Sequence, residues 1–138
     1  LYPNKYEEDD KAVIVKYTVC GTDFNNYWYS KSAYEDEELL QFLDYRNARI
    51  HEGSGTVGPL TDLFYQLIDR TKEIVETSEE YKGCKVSFDG LIFSLGEVDA
   101  KSKEGESCYY KNMEYFIKDL REYVNNPNMP VIIVDNAI

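Results

Sequence analysis

Several kinds of residue and pattern are scarce in this chain. Its 138 residues hold one histidine and three cysteines, Cys20, Cys84 and Cys108, with no Cys-x-x-Cys pair and no Cys/His cluster. That argues against a zinc site. A Cys84–Cys108 bridge is one option for the odd set of thiols, but spacing alone does not fix it, and the redox compartment stays open. No basic run exists: the fifteen Lys and Arg residues are scattered against 26 acidic ones, for a net charge of −11. Without a basic face there is no means of neutralising phosphates, so neither nucleic acid nor an anionic membrane surface is an expected partner. No apolar stretch is long enough for membrane insertion. No Asn-x-Ser/Thr sequon occurs, which disfavours N-glycosylation. The first residues, Leu1-Tyr2-Pro3, carry neither an initiator Met nor a signal peptide, so the sequence is expected to start after processing or partway into a longer protein. The glycine-rich run 53–59 has no Gly-Lys-Ser/Thr ending, which excludes a P-loop and leaves a flexible connector.

What is present suits one ordinary folded domain over 1–138, with an N-terminal loop over 1–11. Hydrophobic residues at 43% and charged residues at 30% place the chain among globular rather than disordered sequences. Thirteen tyrosines fit half-buried positions first and sugar-facing surfaces second. The acidic clusters Glu7-Glu8-Asp9-Asp10 and Glu35-Asp36-Glu37-Glu38 read as solvated loops or helix starts, since the alternating ligands of an EF-hand are missing.

Residues 12–17, Ala-Val-Ile-Val-Lys-Tyr, form a β-branched run expected to be a buried strand. Turn chemistry follows through Cys20-Gly21-Thr22-Asp23, then an aromatic loop around Trp28. Residues 37–49 have helical composition. Leu60, Leu63, Phe64, Leu67, Ile68, Ile74 and Val75 predict a helix over 59–77 with Pro59 in its first turn. A strand is expected at 90–94, and a polar loop at 101–107. A second helix then carries the stripe Met113, Phe116, Ile117, Leu120 and Val124, and stops at Asn125-Asn126-Pro127. A third buried strand is expected at 131–135. Apolar strands alternating with helices predict a parallel sheet covered on both faces.

The stretch 88–101 organises this pattern. Leu91-Ile92-Phe93 runs into Leu95-Gly96-Glu97-Val98-Asp99, a strand end presenting two carboxylates where ligands bind in open α/β sheets. Glu97 and Asp99 have a plain reading too: they cap the next segment or pair with Arg121.

Taken together, residues 13–23 with Trp28, residues 90–100, Tyr109-Tyr110, residues 116–121 and residues 129–134 resemble, in order and spacing, the sialate O-acetylesterase-like branch of the SGNH hydrolases, a branch of carbohydrate acetylesterases. The resemblance covers about residues 12–135. It implies a three-layer flavodoxin-like α/β sandwich with a parallel sheet, acetylated carbohydrate as ligand, no cofactor and no metal, and a secretory or extracellular setting. It also implies a Ser nucleophile in a Gly-Gln-Ser-Asn segment, a His base in an Asp-x-x-His segment and fixed oxyanion donors. Gly21 matches the oxyanion glycine, and Thr22, Trp28, Gly96, Glu97 and Asp99 fall on the rim. Leu95 stands where the pattern has a glutamine whose side-chain amide donates, and so has lost that donor.

Neither the Gly-Gln-Ser-Asn nor the Asp-x-x-His segment occurs in this sequence, so no catalytic residue is expected within it. His51 reads as a surface loop residue, and Ser54 lies in no Gly-x-Ser-x-Gly elbow. The expectation is a partial domain lacking the family's first and last segments. It acts as a structural or carbohydrate-binding subunit, with esterase activity completed from outside these residues as the alternative. The strand missing between 13–17 and 91–94 then comes from the remainder of a longer or processed chain, or from another subunit.

Overall fold

Residues 10–134 are described by the computed structural model. A π-helical turn, Phe24–Trp28, leads into two short helices, α1 (Lys31–Tyr34) and α2 (Glu37–Leu40). Strands β1 (Arg49–His51) and β2 (Gly55–Val57) precede the long helix α3 (Pro59–Thr77). Strand β3 (Leu91–Phe93), the long helix α4 (Lys103–Tyr123) and strand β4 (Val131–Ile133) complete a mixed α/β arrangement. Glu7, Glu8, Asp9 and Asp135 lie outside the described residues.

Helix α3 has the predicted bounds, with Pro59 in its first turn, where the missing amide proton leaves no bond unmade. Its inward face differs from the predicted stripe. Thr61, Asp62, Tyr65, Ile68 and Val75 are buried, while Leu63 and Ile74 are exposed. Helix α4 starts within the expected polar loop, because Ser102 caps it by accepting the Gly105 amide at 2.9 Å. Phe116 and Leu120 of its stripe are buried. Past its end, Asn125 takes a left-handed φ of 54° and the Asn126 amide returns to the Arg121 carbonyl at 2.9 Å.

Three expectations are corrected. Residues 12–17 form no strand and join no ladder among the described residues, and Val13 and Ile14 are exposed rather than buried. The helix expected at 37–49 breaks after Leu40. Leu43 turns into the core, the Asp44 amide bonds to the Asn25 carbonyl at 2.8 Å, and a 3-10 turn, Tyr45–Asn47, leads directly into β1. The glycine-rich connector is half of an antiparallel hairpin, with Arg49 opposite Val57 and His51 opposite Gly55.

Strands β3 and β4 pair in parallel, Leu91 with Val131 and Phe93 with Ile133, as the crossover through α4 requires. Phe93 faces the core. Ile92 and Ile132 are paired on the opposite face and are 73% and 61% exposed, and Ile133 is exposed too, so among the described residues the sheet is not covered on both faces and its last strand is not the buried one expected.

The main core gathers Phe24, Trp28, Val57, Tyr65, Ile68, Phe93, Phe116, Leu120 and Met129. A second cluster, Tyr29, Ala33, Leu39, Leu43 and Cys108, seats α1 and α2 against α4. Cys108 is buried, Cys20 and Cys84 are exposed, and all three are free thiols, so the Cys84–Cys108 bridge is absent.

Candidate functional site

Two turns carry the residues singled out in the sequence. The first, residues 19–23, follows the segment 12–17, which forms no strand. Gly21 adopts a φ of +74°, a conformation that penalises any side chain. It is exposed, and its amide has no hydrogen-bond acceptor among the described residues. Thr22 is fastened from two sides: its hydroxyl donates to the Val19 carbonyl at 3.0 Å and accepts the Trp28 indole N–H at 2.9 Å. Asp23 caps the π-helical turn by accepting the Asn26 amide at 2.7 Å.

The second turn, residues 95–99, leaves the carboxyl end of β3. Gly96 has a φ of +135°, and a Cβ there would lie 2.9 Å from the Tyr109 ring. Tyr109 donates its hydroxyl to the Leu95 carbonyl at 2.6 Å. The Leu95 side chain is half-buried and packs onto the main core, so it presents no polar group to solvent. Glu97 is exposed.

Asp99 joins the turns. Its Oδ1 accepts the Phe24 amide at 3.1 Å, and the Phe24 ring stacks on Phe93 at 5.7 Å and meets Tyr109 edge-on at 5.6 Å. Asp99 is only 2% exposed, and burial pushes its carboxyl up to about 6, against the opposing effect of the Phe24 amide and with help from the charge of Asp23. The Tyr109 phenol is also raised, by burial first and by Asp99 second.

Gly21, Thr22, Asp99, Leu95 and Gly96 are thus linked through Phe24 and Tyr109, while Glu97 stands apart in solvent. Trp28 is core rather than an open sugar platform: it is 7% exposed and sits edge-on to Phe116, Phe64 and Tyr17. Arg121, offered as a partner for Glu97 or Asp99, instead donates both Nε and Nη2 to the Met129 carbonyl, at 3.0 and 2.8 Å.

His51 is the residue that sequence reasoning placed wrongly. It is 6% exposed, not a surface loop side chain. Its Nδ1 lies 2.8 Å from Asp62 and its Nε2 lies 2.8 Å from the Tyr123 hydroxyl and 3.3 Å from Asp69. Tyr123 and Tyr65 stack at 4.2 Å, and His51 meets both edge-on. Burial, then Asp69, raises the Tyr123 phenol. With both ring nitrogens engaged, His51 offers no free atom to deprotonate a nucleophile. The partners lie 11, 18 and 72 residues away, beyond any local motif. Among the described residues no group of three or more His, Cys, Asp or Glu side chains could hold a metal ion.

A family model described as carbohydrate esterase, sialic acid-specific acetylesterase, matches residues 3–137. No curated protein and no solved structure matches the chain.

Proposed function

The chain belongs to the sialic acid-specific acetylesterase family of carbohydrate esterases, and from that premise we propose that it binds acetylated carbohydrate at the joined turns 19–23 and 95–99 with its ester-hydrolysing chemistry weakened or lost. Leu95 carries this reading. An acyl-transfer site stabilises the oxyanion with fixed donors, and removing one lowers the rate by about a hundred- to a thousandfold. At Leu95 the side chain has no donor and lies against the core, and its carbonyl is occupied by Tyr109. Exposed Gly21 with its unengaged amide, half-buried Gly96 and exposed Glu97 form the surface that a sugar ester would meet, and buried Thr22 braces Gly21 from beneath.

One observation favours the second reading, an active O-acetylesterase whose Ser and His lie outside these residues. The Gly21 amide, on the exposed first turn, has no acceptor among the described residues and is left available as a donor. The native protein should be assayed for acetate release from aryl acetates and for labelling by a serine-directed fluorophosphonate. A folded protein silent or weak in both fits the weakened or lost chemistry, and robust acetate release together with labelling overturns it; titration with an acetylated sugar tests the binding itself. Leu95→Gln should then raise the rate by about a hundredfold or more only where a Ser and His are supplied.

The three-layer sandwich belongs to the same proposal. Residues 12–17 carry no ladder, β3 has a neighbour on one edge only, and the Ile92–Ile132 face is bare, all among the described residues. A strand between residues 12–17 and β3, with a helix over the bare face, would complete the sheet, coming from further sequence of the same protein or from another subunit. Intact mass and size of the native material identify which. A monomer of this chain whose two edges pair directly with each other would sink the idea.

A further inference from the structure

A single carboxyl group links the two turns, and it lacks half of its hydrogen bonding. Asp99 Oδ1 accepts the Phe24 amide in a buried bond spanning 75 residues. Its Oδ2 is equally buried and has no hydrogen-bond partner. The backbone behind it packs closely on Gly105 of α4, where an added Cβ would lie 2.4 Å from the Asp99 carbonyl oxygen. Among the described residues the titratable groups facing it are Asp23 on the first turn and Tyr109 on α4, and no cation is among the groups that act on it. When Asp99 is neutral, one oxygen accepts the amide and the other carries the proton. When it is ionised, a buried charge is met only by backbone amides, that of Phe24 and its own, with the Asp23 carboxylate nearby.

We propose that Asp99 is a proton-controlled tether: neutral, it holds the Phe24 amide and with it the turn that presents Gly21 and Thr22; ionised, it loosens that turn. Asp99 is a positioning residue here, since it touches the turn and not the ligand. Its consequence for carbohydrate rests on the binding reading above, with tighter sugar binding in mildly acidic solution. Burial outweighs the strengthening of the amide bond by negative charge and pushes the carboxyl up to about 6, so the change falls within a range that a cell or its surroundings can reach.

The test is amide hydrogen exchange by NMR on the full chain, alongside the side-chain carboxyl ¹³C resonance of Asp99. Corrected for intrinsic exchange, Phe24 should lose protection by about tenfold or more between about pH 5 and about pH 8. Ile68, in the core of α3, should serve as a flat reference. The carboxyl resonance should titrate with a midpoint near 6. Asp99→Asn, which retains the acceptor and cannot ionise, should keep Phe24 protected at every pH. Identical Phe24 profiles in wild type and Asp99→Asn overturn the tether, as does a carboxyl midpoint near the ordinary 3.8 in the wild type. A chain that binds no acetylated sugar yet shows the predicted profile loses the binding reading and keeps the tether.

Discussion

Single side chains hold this molecule together at points that their neighbours in sequence do not announce. His51 ends a strand of three residues and precedes a glycine turn, yet its ring joins the hairpin to α3 through Asp62 and to α4 through Tyr123. Tyr123→Phe removes the hydroxyl that lies between the imidazole and Asp69 and should lower stability by about 1–3 kcal/mol, read from urea denaturation at neutral pH. Gly58 is demanded by close approach. Its amide donates to the Tyr29 carbonyl at 2.8 Å, and an added Cβ would lie 2.3 Å from the Tyr27 carbonyl oxygen. Gly58→Ala should therefore force the π-helical turn away from α3 and lower stability by about 1–3 kcal/mol, seen as a drop in Tm. Asp99 gives a signed pH dependence. Its carboxyl is raised from 3.8 to about 6 on folding, so its contribution is complete below the unfolded value and is lost as pH rises through 6. Relative to Asp99→Asn, the wild type should lose about 2–3 kcal/mol between about pH 4 and about pH 7 in paired denaturation curves.

Among elements, the two long helices were legible because each repeats its apolar residues over many turns and carries its own punctuation, Pro59 for α3 and Asn125 to Pro127 after α4. The stripe of α3 was less so, since Leu63 and Ile74 match the period but face outward. The segment 37–49 was misread for a different reason. Its helical composition is overridden by partners from α4: Asp36 receives Lys111 at 2.8 Å and the Tyr115 hydroxyl at 2.8 Å while capping α2. These contacts, the Lys111 hydrogen bond foremost, lower the Asp36 carboxyl to about 2. Its contribution is therefore present above 3.8 and lost as pH falls toward 2, opposite in sign to that of Asp99. Asp36→Asn should flatten that acid limb of the stability curve and lower the plateau above pH 4 without changing its slope, as a pH series of thermal melts would record.

Across the whole molecule, charge and the bare sheet face dominate. A net charge of −11 acts as self-repulsion on the folded state. Added monovalent salt, from about 20 mM to about 300 mM, should raise Tm by a few degrees through screening. Composition alone determined that this is an acidic, core-forming chain without a basic face, and local periodicity determined α3, α4 and the parallel β3–β4 pair. The order of short motifs determined the family and marked Gly21 and Leu95. The tertiary structure alone decided which polar groups are buried and what meets them: Trp28 inside, His51 inside, Arg121 on a carbonyl, and Asp99 beneath Phe24. Periodicity reports how a residue sits relative to its neighbours along the chain. The burial of a charge, and the partner that makes burial tolerable, depend on atoms that arrive from tens of residues away.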